Sequence, residues 1–255
     1  MFDTIRTEAQ TFWHLMVSPV RGNTHQERLE SFYAGQARGY DSFRRRLLHG
    51  RQTMIDALPK HEDPNGNDAS SNKQVWIDLG CGTAENIDRM GDCANHFNQI
   101  HLVDLSRSLM EVAKRRVAST SLESKVHHHI ADVCEFDIGH EAADLITFSY
   151  SLTMIPQWFR AIERAYQQLR PGGMIGVVDF FVSPKYASSP LPQHRWFTRT
   201  WWPTWFAMDN VYISPDHLPM LQSRFETVTL KTSLGKIPYL PLARVPYYVW
   251  VGHKA

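Results

Sequence analysis

VWIDLGCGTAEN, residues 75–86, decides the fold. The apolar run 75–79 reads as a short buried strand that feeds directly into Gly80-Cys81-Gly82 and then into a helix through Asn86–Met90. Glycines suit that junction because the backbone must turn sharply and admit a ligand with no side chain in the way. The same strand–helix alternation continues outward. QIHLVDL (99–105), VHHHIAD (126–132), ADLITFSYS (143–151) and MIGVVDFFV (174–182) read as strands. Helices fall at 108–119 and 156–169, the second stopping at Arg170-Pro171-Gly172-Gly173. Such a pattern predicts parallel strands with crossover helices, a doubly wound α/β sheet. FETVTL (225–230) and VPYYVWVGHK (245–254) add two strands that pair antiparallel, giving a mostly parallel sheet of seven.

The remaining segments frame this core. Residues 1–17 place apolar side chains at spacings of three and four, an amphipathic helix, and 25–57 form a second helical stretch interrupted at Gly35 and Gly39. Together they make an N-terminal helical cap, 1–58, before a polar, turn-rich loop at 59–74 and the main domain, 75–255. Nine of the 14 prolines lie from Pro184 onward, so 183–219 reads as an irregular lid or insertion.

Acidic residues at the strand ends supply the chemistry. Asp104 stands 22 residues beyond Gly82, where a carboxylate can accept hydrogen bonds from both hydroxyls of a ribose. Asp132 ends the third strand, within reach of an adenine amine. A dinucleotide site calls for G-x-G-x-x-G with pyrophosphate on the helix N-terminus. Here Thr-Ala-Glu-Asn follows Gly82, and the Glu85 carboxylate disfavours phosphates while suiting a cationic ligand. S-adenosylmethionine, with its sulfonium and ammonium, fits that requirement.

Composition excludes several classes. Lys+Arg 27 against Asp+Glu 26 leaves a net charge of +1, with no excess to attract nucleic acid. Cys81, Cys93 and Cys134 lack metal or disulfide spacing and read as free thiols in a reducing compartment. No apolar run has the length of a membrane span, and the N-terminus is too polar for a signal peptide, so a cytoplasmic location is expected. His127-His128-His129 alternate across a strand and cannot all grasp one ion, so no metal is expected. No Gly-x-Ser-x-Gly turn points to a hydrolase.

The segment 75–86, with Asp104, Asp132-Val133 and RPGGMIGVVDF (170–180), resembles class I S-adenosylmethionine-dependent methyltransferases over about residues 75–182. The resemblance implies a Rossmann-like fold and a cofactor site that includes Asp78, Gly80, Gly82, Glu85, Asp104, Leu105, Asp132, Val133 and Ser149. Ala84 departs from the glycine many members carry, and is expected to be tolerated in an ordinary backbone conformation. FYAGQARGYDSFRRRLLHGR (32–51) and LPLARVPYYVWVGHK (240–254) are similar to the methyltransferase of betaine-lipid synthesis, which N-methylates diacylglyceryl homoserine. By that resemblance Tyr33, Tyr40 and Arg51 lie near the cofactor's amino-acid end, with Arg51 pairing its carboxylate. Arg44-Arg45-Arg46 is either a solvated helix face or a contact with anionic headgroups.

The acceptor side stays open. A lipid headgroup amine implies contact with the membrane surface, peripherally on its inner face. A small amine, a quinone-like acceptor, aminocarboxypropyl transfer, or binding without chemistry are the alternatives. Four of eight tryptophans fall between Trp196 and Trp205, suited to a membrane interface, to a quaternary ammonium, or to a local core. An acceptor amine must lose a proton, through a base or through desolvation. Tyr150, His194 and Asp209 are the candidate bases, and Ser151 and Thr153 line the acceptor pocket by position.

Overall fold

The computed structural model describes residues 22–34, 46–58, 74–208, 210–238 and 240–255. The stretches 1–21, 35–45 and 59–73, and therefore the amphipathic segment, Arg44-Arg45 and most of the polar loop, lie outside the described residues. So do Tyr40, Asp209 and the side chain of Tyr33.

In chain order the main elements are α1 (His25–Ala34), α2 (Arg51–Ala57), β1 (Val75–Leu79), α3 (Glu85–Met90), β2 (Gln99–Asp104) and α4 (Arg107–Val117). They continue with β3 (Val126–Ile130), β4 (Ala143–Ser149), α5 (Trp158–Gln168), β5 (Leu169–Phe180), α6 (Trp196–Ala207), α7 (His217–Arg224), β6 (Glu226–Ile237) and β7 (Leu240–His253). The strands form one seven-stranded sheet, ordered β3-β2-β1-β4-β5-β7-β6. Neighbours from β3 to β5 are parallel, and β7 runs antiparallel to both β5 and β6. This is the Rossmann-like architecture expected, with the order reversing between β1 and β4, where open sheets of this kind bind ligands.

Every residue of β1 is buried, because apolar side chains leave on both faces of a central strand. Trp76, Ile100 and Leu102 enter one core with Met54 of α2; Ile77, Leu79, Ile146 and Phe148 enter the other with Trp250 of β7. The helices pack through single stripes, Leu109, Met110, Ala113 and Val117 on α4, and Ala161, Ile162 and Ala165 on α5. Ser106 caps α4, its Oγ accepting from the Leu109 amide at 3.3 Å.

Two sequence expectations need correction. The aromatic stretch is not irregular: α6 is a helix of 12 residues with Pro203 inside it, and α7 follows. Trp202, Trp205 and Phe206 recur at helical spacing and meet the core, which outweighs the proline. The turn anticipated at 170–173 instead opens β5, where Gly172 takes φ 72° and the pairing with β4 shifts between Ala143 and Leu145.

Candidate cofactor site

The loop after β1 is built from left-handed backbone: Gly80 at φ 71°, Gly82 at φ 58° and Ala84 at φ 60°. At Gly80 a Cβ would stand 2.4 Å from the Ser151 Cβ, so only glycine lets the loop lie against the chain leaving β4. Ser151 completes that contact by donating its hydroxyl to the Leu79 carbonyl at 2.9 Å. Ala84 is thus in a strained conformation, not the ordinary one expected for it.

Asp104, at the end of β2, accepts from the Gly82 amide through Oδ2 and from the Ser106 amide through Oδ1, both at 2.8 Å. These bonds fix the carboxylate at the rim of a cavity of about 400 Å³. Gly80, Gly82, Asp104, Leu105, Asp132 and Val133 line it together. Asp132 is exposed and accepts from the Cys134 amide at 2.8 Å.

Other predicted residues stand behind the cavity. Asp78 is fully buried, accepting from Asn86 Nδ2 at 3.0 Å and Thr147 Oγ1 at 2.6 Å. Burial pushes its carboxyl up to about 6, against the opposing pull of those donors. Asp78 therefore braces the start of α3 from beneath the loop. Ser149 is buried, and its hydroxyl has no partner among the described residues. Glu85 and Arg51 meet each other: Arg51 Nη1 lies 2.6 Å from Glu85 Oε2, and Arg89 Nη2 lies 2.8 Å from Glu85 Oε1. Two guanidiniums neutralise the carboxylate that was expected to face a cationic ligand, and Arg51 joins α2 to α3.

Of the candidate bases, Tyr150 lines the cavity, but its hydroxyl donates to the His49 carbonyl at 2.6 Å. Burial, then the nearby Asp179, push its phenol well above the usual tyrosine range, so it serves as a wall and not as a proton acceptor. His194 is half-buried against the Phe181 ring at 5.2 Å, its Nδ1 accepting from the Ser183 amide at 3.0 Å, and it does not border this cavity. Thr153 is tied to buried Asp179, donating to it from both hydroxyl (2.7 Å) and amide (3.1 Å).

Sequence reasoning missed the contribution of α1. Arg28 and Leu29 border the cavity, and Glu30 Oε2 accepts from the Ser106 hydroxyl at 3.0 Å, tying α1 to the start of α4. Leu29 packs on Leu109. No motif marks these residues, because any apolar side chain with a carboxylate beside it would fill the same role. The two flanking segments singled out earlier also meet: a Cβ on Gly50 would stand 2.5 Å from the Tyr247 ring, and His49 stacks on that ring at 6.0 Å.

Among the described residues, no three His, Cys, Asp or Glu side chains are grouped to hold a metal. His127 and His129 stack on His101 at 5.0 and 5.2 Å.

Comparison with known proteins adds the family. Residues 77–173 match the family described as a methyltransferase domain. Among curated proteins, the chain is 26% identical over 99 residues to a demethylmenaquinone methyltransferase from Staphylococcus epidermidis, covering 39% of this chain and 40% of that one. It is 24% identical over 107 residues to a ubiquinone/menaquinone biosynthesis C-methyltransferase from Vibrio vulnificus, covering 42% and 41%. The matches thus span about two-fifths of those relatives. Among solved structures, geranyl diphosphate C-methyltransferase from Streptomyces coelicolor, in complex with S-adenosyl-L-homocysteine, superimposes with a TM-score of 0.61 at 14% identity, covering 94% of this chain and 89% of that one. The glycine turn that excludes a Cβ, the carboxylate anchored one strand away and the cavity between them fit that cofactor class. Residues 77–173 therefore match a methyltransferase domain, the sheet that carries them is Rossmann-like, and the cofactor that fits the cavity is S-adenosylmethionine.

Proposed function

We propose that the chain is an S-adenosylmethionine-dependent N-methyltransferase that converts diacylglyceryl homoserine into its trimethylated betaine lipid, working peripherally at a membrane. One observation carries the lipid reading. An unbroken series of aromatic rings leads from the cavity wall to the surface: Tyr150 to Phe180 (4.6 Å), Phe180 to Phe206 (4.8 Å), Phe206 to Trp202 (6.0 Å), Trp202 to Trp205 (5.7 Å) and Trp205 to Trp201 (5.5 Å). Phe180 and Trp202 lie in the core, so the series joins the cavity wall to the exposed ring of Trp201, which suits an apolar or cationic group at the surface. The contact of 46–51 with β7 supports the same reading, since these are the segments similar to the betaine-lipid enzyme.

Bound S-adenosylmethionine supplies an electrophilic methyl group. Asp104 would hold the ribose hydroxyls, Asp132 and Val133 the adenine, and Leu105 an apolar edge, with Gly80 and Gly82 admitting the amino-acid end. Asp78 and the Arg51–Glu85 pair hold the loop in shape. With the Tyr150 hydroxyl hydrogen-bonded to the His49 carbonyl, the acceptor ammonium would release its proton to water as desolvation in the cavity lowers its pKa. Positioning then supplies the larger share of the acceleration.

A second reading is methylation of a quinone-like ring, favoured by the names of the curated relatives. One incubation separates the two. Protein, cofactor and micellar diacylglyceryl homoserine should give products heavier by up to three methyl groups. Absence of gain there, with gain on a demethylated quinone, overturns the lipid-amine reading. A heavier increment from the aminocarboxypropyl group would place the chain in a different transferase class.

A further inference from the structure

We infer that the outer face of α6 is a docking surface for an anionic bilayer. The helix divides its aromatic side chains between two environments. Trp202, 7% exposed, joins the core with Trp205 and Phe206 packed beside it. Trp196, Phe197 and Trp201 turn to solvent, 71%, 60% and 45% exposed. Positions 196, 197, 200, 201, 204 and 208 share one helical face, and Thr200, Thr204 and Met208 on it are also exposed. Tyr186 and Tyr212, in the segments before and after the helix, are exposed as well.

Large rings left in water are costly unless something covers them, and clusters of this kind mark interaction sites. Charge selects the partner. The stretch 183–208 contains no Asp or Glu, although the chain has 26, and its exposed cations are Lys185 and Arg195, while Arg199 keeps its Nε buried. Tryptophan with flanking cations is the composition of a membrane–water interface, where the ring lies at headgroup depth and the charge meets lipid phosphate. Phe197 and Trp201 stack at 5.6 Å, so the pair presents a preordered face.

The surface is also coupled to the cavity. The Tyr212 amide, just past α6, donates to the Thr153 carbonyl at 2.7 Å, and Thr153 lies in the turn between Tyr150 and Met154, which both border the cavity. Docking through α6 therefore brings the cavity wall to the lipid surface. The inference deepens the lipid-acceptor reading but is tested separately from it.

The test is flotation of the full chain with vesicles of phosphatidylcholine and phosphatidylglycerol, and with phosphatidylcholine alone, neither containing the acceptor lipid. Wild-type protein should float with the anionic vesicles, less so at high salt. The variant Trp196→Ala/Phe197→Ala/Trp201→Ala should lose roughly tenfold or more of that binding while keeping its affinity for S-adenosylhomocysteine. Wild-type protein that stays unbound, or a variant that floats equally well, overturns the inference. So does a lost cofactor affinity, which would make the face structural, or a dimer abolished by the variant, which would make it a self-interface. Failed flotation with methylation of micellar acceptor intact removes the docking surface alone, and flotation without methylation removes the acceptor reading alone.

Discussion

Ala84 occupies a left-handed conformation, φ 60° and ψ 32°, with its methyl fully buried. Glycine would relieve about 1 kcal/mol of strain but forfeit about 0.8 kcal/mol of methyl burial. Ala84→Gly is therefore expected to leave the denaturation midpoint nearly unchanged, whereas Ala84→Val, branched at Cβ, should lower it clearly. Tyr150 is also strained, at φ 55°, held by the hydrogen bond from its amide to the Val178 carbonyl and by that from its hydroxyl to the His49 carbonyl. Tyr150→Phe should cost about 1 kcal/mol of stability without moving the pH profile of turnover. A loss of about a hundredfold or more in turnover would instead make the phenol a catalytic acid or base. Neither strain was visible in the sequence, because a residue name carries no φ. Asp104 was legible, since strand period and spacing alone put a carboxylate beside the glycine turn.

The strands were legible for a simple reason: those buried on both faces read as short apolar runs, and β1 begins and ends where its composition changes. The helix α6 was not, since Pro203 and a density of tryptophan argue against helix while the deciding spacing of Trp202, Trp205 and Phe206 covers little more than one turn. At the sheet's far edge, β2 and β3 place His101, His127 and His129 in one stack. Burial, reinforced by the other two imidazoles, lowers His101 to about 4. The folded state thus resists a proton that the unfolded chain accepts, so this stability is present above the ordinary value of 6.5 and lost as pH falls toward 4. Urea midpoints across that window should fall for the wild type and fall less for His101→Phe. Equal slopes would remove the stack from the acid response.

At the scale of the whole molecule, the N-terminal segment completes the site. His49 and Gly50 seat on β7, Arg51 reaches Glu85 across 2.6 Å, and Glu30 anchors α1 to the start of α4. Arg51→Ala leaves Glu85 paired with Arg89 alone and should destabilise by about 1–3 kcal/mol, read as a lower melting temperature and weaker cofactor binding together. The sequence marked Arg51 and Glu85 separately as ligand contacts, because pairing between segments 34 residues apart leaves no local signal. The cofactor half was readable for the opposite reason, as strand, turn and carboxylate lie in one supersecondary unit. No helix among the described residues is long and apolar enough to cross a membrane. The account is tested most directly by calorimetric titration with S-adenosylhomocysteine. Wild-type protein should bind one equivalent, and Asp104→Ala should bind it weaker by about 1–3 kcal/mol. A flat wild-type titration, or equal affinities for the two proteins, would contradict it.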